Sequence, residues 1–374
     1  GLEHIGKSKN LGSKIVPHKA KFVESDNPIL GKSGKRRELL SAFLYNNNYT
    51  QQEMPEETAQ KTEDIYQYNY AVNLFHKGEK MHIGLQIPSF KYPGGTADIR
   101  PKLKEIVTTA DTAGFHSLWV MDHYYQIKGL FGEAYTDPML ESYTTLGYFA
   151  GLTEKANLGV LVTGVIYRHP SVLMKMVNTL DILSGGRAYL GIGAAWYEDE
   201  AKGLGIPYPS TSERFEQLED NLKLAKTLWD GEEASFEGQR FSAPAITNNP
   251  APLSKPHPRI MIGGMGPKKT LRMVAQYADA CNFFEGAGMD KMQNALDTLK
   301  AHCERLGCDY DTIEKTSLGT VHLSANDTVD SVIKRSKELS AMGFTHTIFN
   351  MPDVYKITPL ETFAKEIIPA VAEL

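Results

Sequence analysis

Residues 157–193 read NLGVLVTGVIYRHPSVLMKMVNTLDILSGGRAYLGIG. Two short apolar runs, 157–163 and 187–193, flank an amphipathic stretch at 170–183. The spacing predicts a strand, a helix and a second strand, the βα rhythm of a parallel sheet. Pro170 sits where the helix begins, a position at which its missing N–H does no harm.

The same unit repeats outward in both directions. From Met81 onward, apolar runs of five to eight residues alternate with amphipathic segments of ten to twenty. Further strands are expected at 82–87 (HIGLQI), 117–121 (SLWVM), 259–263 (RIMIG), 279–284 (DACNFF), 316–322 (TSLGTVH) and 345–350 (THTIFN). Helices are expected at 99–113, 140–152, 212–229, 268–277, 289–306, 327–341 and 358–372. Gly114 and Gly343 follow apolar-periodic runs and suit left-handed helix C-caps. Eight such units closing into a TIM (β/α)8 barrel is the simplest architecture. An open doubly wound sheet would carry GxGxxG after its first strand, and none is present. The connection 195–258, between the fourth and fifth strands, is long. It holds one helix and a Gly-, Pro- and Asn-rich stretch, and it leaves the carboxyl end of a strand. Long excursions there read as functional lids or packing insertions.

Composition agrees with a large globular enzyme. Of 374 residues, 41% are hydrophobic and 23% charged, enough apolar material for one large core. The net charge of −5 lacks the basic footprint of a nucleic-acid partner. Cys281, Cys303 and Cys308 match no zinc spacing and read as reduced thiols. No run is apolar and long enough to span a membrane, and no signal peptide is visible near the start. A soluble, cytoplasmic enzyme acting on a small molecule is the default expectation. Residues 1–80 lack the strand–helix rhythm. They read as a mobile extension, a helical appendage, or an upstream segment foreign to the domain at 81–374.

In a barrel, polar residues at the carboxyl ends of strands are site candidates. The second strand runs into Asp122-His123-Tyr124-Tyr125. A histidine exchanges protons near neutral pH, and a neighbouring carboxylate can orient it. A satisfied structural histidine is the plainer alternative. The third strand ends in Val162-Thr163-Gly164, then Arg168-His169. Those two residues either face an anion, or cap the next helix or pair on the surface. The fourth ends in Gly193-Ala194-Ala195-Trp196, suited to a planar ligand or to tight packing. The fifth ends in Gly263-Gly264-Met265-Gly266-Pro267 with Lys268-Lys269 opening a helix. Glycine-rich turns at helix N-termini present free N–H groups to phosphate. Asp279 begins a strand and belongs on the opposite, stabilising rim. Glu285 and Asn350 end strands on the catalytic side, with open roles.

Taken in order, GLQIPSFKYPGG, AGFHSLWVMDH, YTTLGYFAGLTEKANLGVLVTGVIYRHP, TLDILSGGRAYLGIGAAWYEDEAKGLGI and RIMIGGMGPKKTLRMVAQYADACN resemble luciferase-like monooxygenases. The branch they look most like is the F420-dependent oxidoreductases, which use a deazaflavin coenzyme. The resemblance covers 81–374 and none of 1–80. It implies a TIM-like barrel, a homodimer and a cofactor lying across the carboxyl rim. It places Asp122 and His123 beside the ring, and Leu161, Val162 and Thr163 on the strand behind it. A non-proline cis peptide is implied at or near Leu161-Val162. Gly264, Met265 and Gly266 fall at the phosphate, and Gly193, Ala194 and Trp196 at ring or tail. Some relatives carry an acid and an asparagine after the fourth strand, where this chain has Ala194-Ala195-Trp196-Tyr197-Glu198. Their sugar-phosphate chemistry is therefore not carried over.

The leading expectation is hydride transfer between F420 and a small organic substrate, with His123 moving the balancing proton and Asp122 orienting it. An FMN-dependent monooxygenase is the alternative. A cofactor-binding protein without turnover is the third reading.

Overall fold

The computed structural model describes residues 81–129, 131–231 and 233–374. The expectations for residues 1–80 lie outside the described residues. The strands are β1 (His82–Ile87), β2 (Ser117–Val120), β3 (Asn157–Val160), β4 (Thr163–Gly164), β5 (Ala188–Gly193), β6 (Glu233–Glu237), β7 (Ser242–Thr247), β8 (Arg259–Gly263), β9 (Ala280–Phe284), β10 (Glu314–Thr320) and β11 (His346–Asn350). All except β6 and β7 belong to one parallel sheet, whose ring runs β1, β2, β3, β5, β8, β9, β10, β11 and back to β1. It closes where Leu158 of β3 lies opposite Ala188 of β5. This is the expected eight-stranded TIM barrel. β3 and β4 are two pieces of the third barrel strand. Between them the Leu161–Val162 peptide is cis, at the bond the resemblance implied.

The barrel interior is filled by Trp119, Leu161, Tyr189, Met261, Ala280 and Ile348. Trp119 is fully buried, and it needs Gly159 beside it. A Cβ at Gly159 would come within 2.2 Å of the indole ring. Around the ring, apolar residues of strands and helices form the larger core. Parallel strands covered on both faces read as continuous apolar runs, which is why the sequence shows them clearly.

Helices start and stop as the local signals require. Pro170 opens Pro170–Ser184. Gly114 and Gly343 take the left-handed C-cap, with φ of 90° and 100°. Three expectations are corrected. Lys268 and Lys269 do not open a helix, which begins at Thr270 after the turn through Gly266 and Pro267, with Lys269 at its N-cap. β10 begins at Glu314, two residues before the predicted start. Glu314 and Lys315 are charged and nonetheless buried. The long connection holds two helices, Glu198–Gly203 and Thr211–Trp229, and the antiparallel β6–β7 pair.

The amino-terminal rim is closed by an ionic cluster. His346 Nδ1 lies 2.9 Å from Glu314 Oε1, and Arg259 Nη1 lies 3.2 Å from Glu314 Oε2. Burial alone would raise the Glu314 carboxyl. Arg259 and His346 outweigh it and hold the group well below its ordinary range. Asp279 lies at this rim too, accepting from Ile260 N at 2.8 Å. Among the described residues no helix is long and apolar enough to cross a membrane.

Candidate active site

A cavity of about 560 Å³ opens at the carboxyl ends of the barrel strands. Asp122, His123, Leu161, Val162, Gly193, Ala194, Trp196, Gly264 and Met265 line it, as expected from their strand-end positions. Thr163 and Gly266 do not. Thr163 is fully buried with its hydroxyl 2.9 Å from Tyr143 Oη. Gly266 faces Thr270, and a Cβ there would sit 2.7 Å from Thr270 Oγ1.

His123 is held by a carboxylate, and the carboxylate is Glu200. Nδ1 lies 3.0 Å from Glu200 Oε2. A carboxylate only accepts, so Nδ1 carries the proton. That leaves Nε2 without a hydrogen-bond partner among the described residues, on a side chain that lines the cavity. Glu200 is fully buried, in the short helix after β5. It also accepts from Tyr124 N at 2.6 Å, Tyr125 N at 2.8 Å and the Tyr167 hydroxyl. Burial pushes its carboxyl up, but the bonds from His123, Tyr167 and Tyr125 prevail, and it lies below its ordinary value.

The expectation that Asp122 orients His123 is corrected. Asp122 is buried and bound on both oxygens by Arg168, at 2.8 and 2.9 Å. Ser142 Oγ donates to it at 2.7 Å and Gly164 N at 3.0 Å. Arg168 also reaches Glu141 at 2.5 Å. Burial works against the guanidinium's charge, but its hydrogen bonds to Asp122 more than offset this. Asp122 is therefore a clamp between β2, β4 and the helix Ser142–Ala150. Of the readings left open for Arg168 and His169, neither residue is among those that line the cavity. Arg168 is in the clamp, and His169 Nδ1 caps the next helix by accepting from Ser171 N at 3.3 Å.

Trp196 is 61% exposed, stacks on Tyr197 at 5.2 Å and meets the His123 ring edge-on at 5.7 Å. In the glycine turn, Gly264 has φ 113° and donates its N–H to Asn282 O at 3.0 Å. The N–H groups of Met265 and Gly266 have no partner among the described residues. Glu285 is engaged by Ser317 Oγ at 2.8 Å, and burial raises its carboxyl. Asn350 is fully buried, and neither of its amide atoms has a partner among the described residues.

The Glu200 pairing makes a specific prediction. Glu200→Gln removes the charge from every bond to this carboxylate, and the bond to His123 alone contributes about 1.5–3 kcal/mol, so kcat should fall about 10- to 100-fold. The pairing also gives a pH signature. Because its folded-state value lies below the ordinary 4.5, the Glu200 carboxylate stabilises the fold fully above that pH and loses the contribution as pH falls below it. Urea unfolding should show a stability gap between wild type and Glu200→Gln that narrows below about pH 4.5. A gap constant across that range would contradict the pairing.

Residues 81–346 match the luciferase-like monooxygenase family. The chain belongs to that family. It is similar to an F420-dependent glucose-6-phosphate dehydrogenase of Kineococcus radiotolerans, 26% identical over 297 residues, covering 77% of this chain and 83% of the relative. It is 26% identical to an FMNH2-dependent dimethylsulfone monooxygenase of Pseudomonas putida over 132 residues, covering 35% and 36%. Among solved structures, an F420-dependent secondary alcohol dehydrogenase in complex with an F420–acetone adduct superposes with a TM-score of 0.64 at 20% identity, covering 78% of this chain and 99% of that one. The family's barrel and this chain's barrel therefore agree in kind.

Proposed function

We propose that this chain is an F420-dependent oxidoreductase that exchanges a hydride with a small organic substrate, with His123 carrying the balancing proton. The observation behind the reading is the His123–Glu200 pair, whose imidazole lines the cavity while the carboxylate is buried behind it. Its geometry leaves one imidazole nitrogen, Nε2, without a protein partner among the described residues.

The residues present fit the cofactor. Gln86 lines the cavity, is buried, and donates through Nε2 to Leu161 O at 3.2 Å. Its Oε1 has no partner among the described residues. Flavin and deazaflavin rings both carry an imide N–H, the donor such an acceptor requires. Met265 and Gly266 would hold the phosphate through their unpartnered amides, with Gly264 shaping the turn. Leu161 and Val162 would back the ring. When bound, the deazaflavin supplies two-electron hydride chemistry at a substrate carbon.

His123 Nε2 takes a proton from a substrate hydroxyl in one direction and returns it to a carbonyl oxygen in the other. Glu200 keeps Nδ1 protonated throughout and stabilises the imidazolium that forms on protonation of Nε2. Trp196 and the neighbouring apolar walls exclude water from the exchange.

The same acceptor and amides would also suit FMN. The deazaflavin is preferred because the relative named for it aligns with 77% of the chain, against 35% for the relative named for FMNH2. Fluorescence titration of the purified protein with F420 and with FMN separates the two. Saturable binding of F420 with weaker FMN binding is expected. Preference for FMN, followed by oxygen uptake with reduced FMN, would replace this reading by the monooxygenase. Gly264→Ala forces a side chain onto φ 113°, costing about 1–3 kcal/mol, so F420 affinity should fall roughly tenfold. An unchanged Kd would remove the turn from the phosphate site.

A further inference from the structure

We infer that the substrate of this cavity is an uncharged, mainly apolar carbonyl compound or its alcohol, and not a phosphorylated sugar. The inference rests on the oxidoreductase reading above and adds to it the chemistry of the second ligand.

The charge of the wall comes first. Among the described residues lining the cavity there is no lysine and no arginine. Three cations close to the wall, Arg168, Arg214 and Lys269, are already engaged. Arg168 binds Asp122 and Glu141. Arg214 is 8% exposed and donates to Ala194 O at 3.2 Å, Ala195 O at 2.6 Å and Pro209 O at 3.1 Å, with its guanidinium over the Tyr208 ring. Lys269 donates to Ser212 Oγ at 3.3 Å and lies over Phe215. The unpartnered amide of Met265 on this wall, with that of Gly266 next to it in the turn, is anion-ready, and the cofactor phosphate would take both. A second phosphate held against the lining would give up its hydration without gaining a cation from the lining, which is unfavourable.

The apolar surface points the same way. Trp196 and Phe284 are large hydrophobic side chains, 61% and 48% exposed, and both line the cavity. Met121, Phe131 and Phe215 continue the wall. Exposed apolar residues gathered in one concavity mark a surface that a ligand covers. Against this wall, His123 Nε2 supplies the polar contact that a carbonyl or hydroxyl oxygen needs. The reaction balances as a secondary alcohol giving a ketone. The carbinol C–H bond would break with its electron pair leaving as hydride, for which a bound deazaflavin would be the acceptor. The O–H proton goes to His123 Nε2, and the C=O π bond forms.

The test uses the full chain, first without cofactor. Quenching of tryptophan fluorescence by 4-phenyl-2-butanone and by glucose 6-phosphate reads the cavity's preference whether or not F420 binds. The F420-loaded protein is then assayed at 420 nm with cyclohexanol, 4-phenyl-2-butanol and glucose 6-phosphate. The expected result is binding of the ketone alone, with kcat/KM for at least one of the two alcohols about tenfold or more above that for the sugar phosphate. Phe284→Ala should lower kcat/KM for 4-phenyl-2-butanol about tenfold, mainly through KM. Stronger binding or turnover of glucose 6-phosphate overturns the inference, as does failure of every uncharged probe to bind. Failure of F420 to bind, with the ketone still bound, overturns the oxidoreductase reading and leaves the cavity preference standing.

Discussion

His123→Ala is expected to lower kcat by about 10²–10⁴-fold while leaving F420 affinity within about threefold. The proton exchange has no substitute nearby. Glu200 is fully buried behind the imidazole, and its oxygens are already bonded to Tyr124 N, Tyr125 N and the Tyr167 hydroxyl. Those three donors stay in place when the imidazole is removed, so the short helix Glu198–Gly203 keeps its anchor and the fold should survive. The Tyr167 hydroxyl already donates to Glu200, and burial and that bond raise it above its ordinary value, so it is a poor replacement acid at neutral pH. Single-turnover kinetics of F420 reduction, set beside a binding titration of the same variant, separate chemistry from affinity. Turnover equal to wild type would remove His123 from the mechanism. An equal loss of binding and turnover would make it a cofactor contact instead.

The barrel was legible because its strands are buried on both faces. NLGV, AYLGIG and RIMIG are apolar runs that admit few other readings, and the helix between the first two ends on Gly185 in the left-handed cap that glycine favours. Legibility failed where burial and polarity part company. Glu314 and Lys315 begin β10 although both are charged, because Glu314 is paired with Arg259 and His346 across the barrel. The β6–β7 pair was missed for the opposite reason. Most described positions of β7 are exposed, so no apolar run marks it. In the site, strand-end position found His123 and Asp122 but misassigned their relation. Consecutive residues leaving a strand point to opposite sides, so adjacency in sequence works against contact between them. Asp122 turns toward Arg168, and His123 toward the cavity and Glu200. Glu200 lies 77 positions from His123. A faint signal for it existed in the acidic first turn after a rim strand, Glu198-Asp199-Glu200. Nothing in that run distinguishes the one fully buried member.

Arg168→Ala should destabilise the fold by about 3–5 kcal/mol, the cost of leaving a buried charge without its partner. Side-chain exposure is 7% for Arg168 and 2% for Asp122, so solvent does little to screen the loss. Glu141, with its side chain 31% exposed, would keep some hydration. Asp122 would keep only the bonds from Ser142 Oγ and Gly164 N. Arg168→Lys should not restore the wild-type value, because an ammonium cannot bind both Asp122 oxygens in the plane of a guanidinium fork. Urea unfolding of Arg168→Ala, Asp122→Asn and the double variant gives the coupling directly. Asp122→Asn removes the stranded charge, so the double variant should be more stable than Arg168→Ala alone. Strict additivity, or a loss under about 1 kcal/mol for Arg168→Ala, would mean the pair is no more than a surface bridge. The consequence reaches the site. Gly164 lines the cavity and is tied to Asp122 through its N–H. A variant that loosens the clamp should therefore weaken F420 binding even though Arg168 is not among the residues that line the cavity. His123→Ala should show the opposite pattern, with binding kept and turnover lost. The two substitutions together separate the group that moves the proton from the group that holds the wall in place.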